Sequence, residues 1–285
     1  MPSTVSTMVD RTRRLLRDWP DLDTSTASIT ASGTTLTVAD TTLYTVNQAV
    51  ELESEAMIVR AIPGGTTLTV KRGAYGSTGA SHANSTSVLL GPRFYQVDIL
   101  DALNAGLSAS WPLLYQRVVN TTITTTSNTY EYNVPSVGAG QSFAIPYLYQ
   151  VDIRESGETK YRKRNDWEVV QGATRAIRFK RTQPASATLR LHGVAPYADL
   201  TLTGSLDTNY PAQAEQALVS FAASFLLQSA EANRVRIDTG TIDNREQANR
   251  VGASAAIAQV MMQRFYRELQ QVAQPPPGKH IKAVM

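Results

Sequence analysis

The sequence predicts an α+β protein: a helical bundle body, an inserted small antiparallel β-barrel or sandwich, and a second antiparallel β meander. Three observations carry this expectation. Apolar residues recur at helical spacing near both ends of the chain and again around residue 100. Between those stretches, apolar and hydroxylated residues alternate, with Gly-rich turns separating the runs. Hydrophobic residues make up 42% of the 285 and charged residues only 18%, which suits a sizeable core under a neutral, hydroxyl-rich surface. The expected division is a helical body from 1–22, 92–118 and 206–274, an inserted β domain at 23–91, a second β domain at 119–205, and an extended tail at 275–285.

Residues 3–19 read as a helix, with Val5, Met8, Leu15, Leu16 and Trp19 near one face and Arg11, Arg13, Arg14 and Arg17 around the rest. Pro20 ends it. Residues 24–91 alternate, as in "TASITASGTTLTVADTT" and "AMIVRAIPGGTTLTVKRG". The pentapeptide TTLTV occurs at 34–38 and at 66–70, through either a tandem repeat or a shared strand preference. Residues 92–118 are helical, with Val97, Leu100, Leu103, Leu107, Trp111 and Leu114 stepping by three or four and Pro112 expected to kink or split the segment. From 119 to 205 strand-like runs return between the turn signals "ESGE", "QGA" and "QPAS". Residues 211–273 are helical again. Pro211 suits a first turn, and Ala214, Leu218, Phe221, Phe225 and Leu226 form one stripe. Val251, Ala255, Ala258, Met262, Phe265, Leu269 and Val272 keep a heptad seam in the last helix, read as packing within the chain.

Several chemistries are excluded or weakened by what the residues offer. The chain has no Cys, so thiol nucleophiles, thiolate metal sites and disulfides are absent. No apolar run reaches the roughly 18 residues of a transmembrane helix, so no membrane partner is expected. The first residues lack the apolar core of a signal peptide. "KRGAYGSTGASHA" at 71–83 carries glycines and a histidine, but Lys71 precedes the glycines and a strand-like run follows, so it is not a phosphate loop. His82, His192 and His280 show no metal-ligand spacing. Glu51, Glu53 and Glu55, spaced by two, would share one side of a strand, as a carboxylate site or, more simply, as an acidic face. No catalytic, cofactor-binding or metal site is expected.

Charge is uneven although the net is only +3. Residues 18–59 carry seven acids and no Lys or Arg, whereas 154–181 carry nine bases and four acids. "KYRKR" at 160–164 and "RAIRFKR" at 175–181 therefore read as a basic face. Its members are Lys160, Arg162, Lys163, Arg164, Arg175, Arg178, Lys180 and Arg181, interleaved with Tyr161 and Phe179. Such a face suits either passing DNA or an acidic neighbouring subunit.

The order of elements resembles the head-completion adaptor, or head-to-tail connector, proteins of tailed bacteriophages. The likeness covers about 1–20 and 92–285. It rests on "FYQVDILDALNAGLSASWPLLYQRV", then "NTYEYNVP", a basic meander, and "LRLHGVAPYADLTLTGSLDTNYPAQAEQALVSFAASFLLQSAEANR". Residues 24–91 are similar to a β module of many phage structural proteins, with signature E-x-M-x-V followed by TLTV-x-RG-x-x-G-T-x-A-x-x-H. Glu55, Met57, Val59, Arg72, Gly73, Gly76 and His82 fit that pattern, and Ser77 stands where Thr is usual. The resemblance implies a non-enzymatic virion protein at the head–tail interface, assembled in the host cytoplasm. Its copies would form a ring, usually of twelve subunits, that binds the portal protein and extends the channel for double-stranded DNA without reading its sequence. The ring would offer a platform to the next connector or tail-completion protein. The tail "QPPPGKHIKAVM" would dock on the portal through Lys279, His280, Ile281, Lys282, Val284 and Met285. The rival readings are a tail-tip or baseplate protein using the same module, and a non-specific DNA-binding protein.

Overall fold

A computed structural model describes residues 3–138, 141–171, 174–238 and 245–273, the side chains of 137–144 and 231–254 excepted. Four helices are present among them: α1 (Val5–Leu16), α2 (Gln96–Ser110), α3 (Ala212–Asp238) and α4 (Arg245–Val272). The rest is mainly antiparallel sheet, so the expected helical bundle body is not what forms. The protein is α+β, and two of its hydrophobic clusters lie within sheets. The physical reason is that a helical stripe records amphipathicity along one element. It does not say how much of the core the short alternating strands supply once they pair into sheets.

The chain divides into two compact units, 1–106 with 200–268 and 107–199 with 269–285, so the boundary falls within α2 after Gly106. The first unit holds a six-stranded sheet. Its strands are β1 (Asp21–Thr24), β2 (Thr35–Thr37), β3 (Ala49–Leu52), β4 (Glu55–Gly64), β5 (Thr67–Ala74) and β6 (Ser87–Leu90), in the order β1-β6-β3-β4-β5-β2. The sheet curls into a half-barrel, and just beyond its edge strands Ser25 bridges Val38. Leu36, Val50, Leu52, Met57, Val59, Leu68 and Val88 fill its interior without exposure. The two TTLTV copies lie side by side: Thr35 pairs with Thr69, Leu36 with Leu68 and Thr37 with Thr67. Their likeness therefore fits two antiparallel partners lining one side of the same core.

Helix α1 starts at Thr4, whose Oγ1 accepts the Thr7 N–H at 3.2 Å, and ends at Arg17 in the left-handed region. It buries Val5, Met8, Val9 and Leu16 and packs on α3. Glu215 of α3 accepts from Ser3 Oγ at 2.5 Å and from Arg11 at 3.2 Å. Small residues on α3 (Ala214, Ala217, Ala222) are buried, and Gly106 of α2 sits so close that a Cβ there would meet Phe221 at 3.1 Å. Two expected stripe members point outward instead: Trp19 is 70% exposed and Phe225 45%. On α4, Ala258, Phe265 and Leu269 of the seam are buried while Ala255 is exposed. Ser224 Oγ of α3 donates to Ala258 O at 2.8 Å.

The second unit contains β7 (Gln116–Thr124), β8 (Glu131–Asn133), β9 (Ser136–Gly138), β10 (Gln141–Ala144), β11 (Tyr147–Arg154), β12 (Arg162–Arg164), β13 (Trp167–Gln171), β14 (Arg175–Phe179) and β15 (Thr188–Ala195). They make a four-stranded sheet, β12-β11-β15-β7, a three-stranded sheet, β13-β14-β8, and a β9–β10 ribbon. Val118, Tyr132, Leu148, Val151, Ile153, Trp167, Ile177, Phe179, Leu189 and Leu191 form one cluster across the two larger sheets. Gly193 is where β15 is crossed most closely: a Cβ there would lie 2.3 Å from Ile145 Cγ2 and 2.6 Å from Tyr147 O.

Candidate functional site

The glutamates expected on one acidic face are distributed to three environments. Leu52 pairs with Glu55, so Glu53 and Ser54 form the tight turn between β3 and β4, with Glu53 at φ 51°. A turn of this kind breaks the period-two relation on which the shared face rested. Glu53 stays in solvent, whereas Glu51 and Glu55 are buried.

Glu55 is the hub of a buried network. Arg72 Nε and Nη2 donate to its two oxygens at 2.6 and 2.5 Å. The Gly73 and Ala80 N–H groups add bonds at 3.0 and 2.9 Å. His82 Nε2 lies 2.9 Å from Glu55 Oε2, and its Nδ1 lies 2.8 Å from Glu53 Oε2. Arg72 Nη1 donates onward to Thr30 O and Gly33 O, and Nη2 to Ala80 O. Burial pushes the Glu55 carboxyl up, but the bonds from Arg72, Ala80, His82 and Gly73 outweigh it and hold the group at about 2. The stretch 71–83 is thereby explained. Gly73 at φ 60° and Gly76 at φ 80° let the chain fold back, so that Arg72, the Ala80 amide and His82 all reach one carboxylate. Ser77 Oγ accepts the Ala56 N–H at 3.0 Å and joins the same bend to β4. Every hydrogen-bonding position of Glu55 is occupied from within the chain, which leaves no room for substrate or metal.

Glu51 forms the second buried pair. Arg13 Nη2 lies 3.0 and 2.8 Å from its two oxygens and also donates to Phe94 O, and the Gln96 N–H donates at 3.2 Å. Beside it, Asp18 accepts the amides of Arg93 and Phe94, both at 3.1 Å. These bonds tie α1 and the start of α2 to the half-barrel. Burial raises the Glu51 carboxyl to about 7 against the lowering by Arg13 and Gln96.

The eight basic residues do not form a single face either. On β12, Val151 pairs with Arg164 and Ile153 with Arg162, so these two arginines follow the core side of β11. Arg162 pairs with Glu158, and Arg164 with Asp166 at 2.7 Å. Lys163 lies opposite Asp152 on the reverse side. Arg175 and Arg178 belong to the other sheet. Arg175 donates to Ile145 O at 3.0 Å, and Arg178 pairs with Glu131 at 2.9 Å and lies opposite Glu168. Lys160, Lys180 and Arg181 are exposed, with no ion pair among the described residues. The docking residues Lys279, His280, Ile281, Lys282, Val284 and Met285 lie outside the described residues.

The outer side of the four-stranded sheet carries a constellation that the sequence reading missed. Asp152, 2% exposed, accepts Arg190 Nε and Nη2 on Oδ2 at 3.1 and 2.7 Å, and His192 Nε2 lies 2.9 Å from the same oxygen. Gln150 donates to Oδ1 at 2.7 Å. Burial raises the Asp152 carboxyl, and the bonds from Arg190, Gln150 and His192 bring it below its ordinary value. The guanidinium carbons of Arg190 and Arg154 lie 4.1 and 5.0 Å from the Tyr161 ring centre. The available signal was the alternation in "VDIR" and "LRLH", where polar side chains on paired strands must meet on one side.

Near the end of α1, Asp10, Arg13, Arg14, Asp18, Trp19, Pro20, Leu22 and Leu89 line a groove of about 240 Å³. Among the described residues, no group of three or more His, Asp or Glu side chains is placed to hold a metal ion, and no helix is long and apolar enough to cross a membrane. No protein family matches the chain, and no curated protein is similar to it in sequence.

Proposed function

We propose that this chain is a structural assembly protein of a tailed-phage virion, an adaptor between the portal and the next connector or tail-completion protein. It acts by mating surfaces with copies of itself in a ring and with those neighbours. The observation that carries the reading is the contrast between the buried and exposed groups of the first unit. Its buried carboxylates Glu51 and Glu55 are satisfied by arginines and amides of the same chain. Several large apolar side chains are nonetheless exposed, with Trp19 and Leu22 (65% exposed) together on one groove. Buried ion pairs thus hold the scaffold, while apolar side chains grouped at the surface suit contact with another protein. Val260 and Ile257, three residues apart on α4, add a second exposed apolar pair.

The experiment is co-sedimentation of the purified full chain with assembled portal. Binding at defined stoichiometry is expected, and deletion of residues 275–285 should abolish it while circular dichroism stays unchanged. Failure of the full chain to bind portal would overturn the adaptor reading. Unchanged binding by the deletion variant would remove the docking role of the tail.

A further inference from the structure

We propose that the outer face of the four-stranded sheet, built by Arg154, Tyr161, Lys163, Arg190 and His192, binds the phosphate backbone of duplex DNA weakly and without sequence preference. The inference deepens the DNA channel in the adaptor reading. It rests on that reading for the choice of duplex DNA as the polyanion.

The face is defined by contacts. Arg190 and His192 of β15 and Gln150 of β11 all bond Asp152, and Arg190 shares the Tyr161 ring with Arg154. Lys163 stands opposite Asp152 in the ladder and is exposed. Its three permanent cations therefore occupy three adjacent strands, β12, β11 and β15, a span of roughly 10 Å at the usual strand spacing. A linear polymer of negative charge meets several of them together, whereas a small anion meets one.

Two features make this more than a solvated basic surface. First, the guanidiniums are held before any ligand arrives. Asp152 engages Nε and Nη2 of Arg190, leaving its Nη1 edge, and the Tyr161 ring supports both arginines. Long basic side chains ordinarily lose rotamer freedom on binding, and prior ordering reduces that loss. Second, Arg154 and Lys163 have no acidic partner among the described residues, in contrast to Arg162, Arg164 and Arg178. The one acid on the face, Asp152, is buried beneath its three donors. The alternative occupant is an acidic surface of a second copy, and that surface is depleted. Of the acids in 18–59, Asp18, Glu51 and Glu55 are buried, Asp23 accepts Tyr44 Oη at 2.9 Å, and Asp40 caps the turn at Thr42.

The test is fluorescence anisotropy of a labelled duplex oligonucleotide titrated with the purified full chain between 50 and 200 mM salt. Three phosphate contacts predict a slope of log K against log salt of about −2.7, with dissociation constants on the order of micromolar or weaker. The double variant Arg154→Gln/Lys163→Gln is expected to bind at least tenfold more weakly at 50 mM salt, with the slope reduced to about −0.9. The exposed single change Lys163→Glu serves as a second variant should the double one fold poorly, and a several-fold loss is expected. Lys180→Gln/Arg181→Gln removes the same charge outside this face and is expected to leave affinity and slope unchanged. Equal weakening by that control would reduce the effect to net charge and overturn the proposal, as would undetectable DNA binding at 50 mM salt. Competition by polyglutamate as effective as by unlabelled DNA would point to an acidic protein instead. The assay contains no portal, so its failure leaves portal docking untouched, and a failed docking experiment leaves it readable.

Discussion

Replacing Arg72 by Met removes the guanidinium of the Glu55 network while keeping an apolar stem of similar reach. Glu55 would retain the Gly73 and Ala80 amides and His82 but lose two bonds of 2.6 and 2.5 Å. The carbonyls of Thr30 and Gly33 would also lose their Arg72 donors. Breaking a buried pair by removing one partner costs about 3–5 kcal/mol. The whole set of bonds, from Arg72, Ala80, His82 and Gly73 together, holds the carboxyl at about 2 instead of 4.5, which corresponds to roughly 3 kcal/mol for the network. Because the folded value is depressed, this stability is present above pH 4.5 and is lost as pH falls toward 2. The assay is hydrogen exchange at the β4 and β5 amides, with thermal unfolding at pH 7, 5 and 3. Arg72→Met is expected to lower the unfolding temperature at pH 7 by roughly 10 °C and to flatten the acid-side decline. A variant within 1 °C of the parent at pH 7, with the same decline, would refute the network as a source of stability.

Four further outcomes follow from other parts of the molecule. Burial raises Glu51 to about 7, so its contribution is present below pH 4.5 and lost as pH rises through 7; Glu51→Gln should therefore flatten the decline in melting temperature between pH 5 and 8. Gly193→Ala places a methyl group 2.3 Å from Ile145 Cγ2 and 2.6 Å from a carbonyl oxygen, so urea unfolding should show a loss of about 3 kcal/mol or more. Ser224→Ala removes the bond to Ala258 O and should cost about 1 kcal/mol by the same measurement. Trp19→Ser, at an exposed side chain on the groove, should leave melting within about 0.5 kcal/mol of the parent while weakening assembly on portal in co-sedimentation.

Much of the secondary structure is legible because its causes are local. Pro20 follows the end of α1, Pro211 precedes α3, and strand alternation with Gly turns marks the half-barrel. What is not legible depends on long-range pairing. Glu51 and Glu55 look alike in "ELESE", yet one meets an arginine 38 residues earlier and the other an arginine 17 residues later. "KYRKR" looks uniformly basic, but its alternate side chains go to opposite sides of β12, where Arg162 and Arg164 find acids and Lys163 does not. The balance between helix and sheet is hidden for a related reason. Each strand is short, and its share of the core appears only once the sheets are assembled. Asp152, Arg190 and His192 are not legible because a polar residue in an alternating strand reads as solvent-facing, and nothing local shows that three donors converge on one carboxylate.

The most direct measurement is electron microscopy of intact tailed particles carrying a site-specific label on this chain. An adaptor predicts label density as a ring immediately below the portal, present once per particle. Density at the tail tip or baseplate, or particles without label, would contradict it.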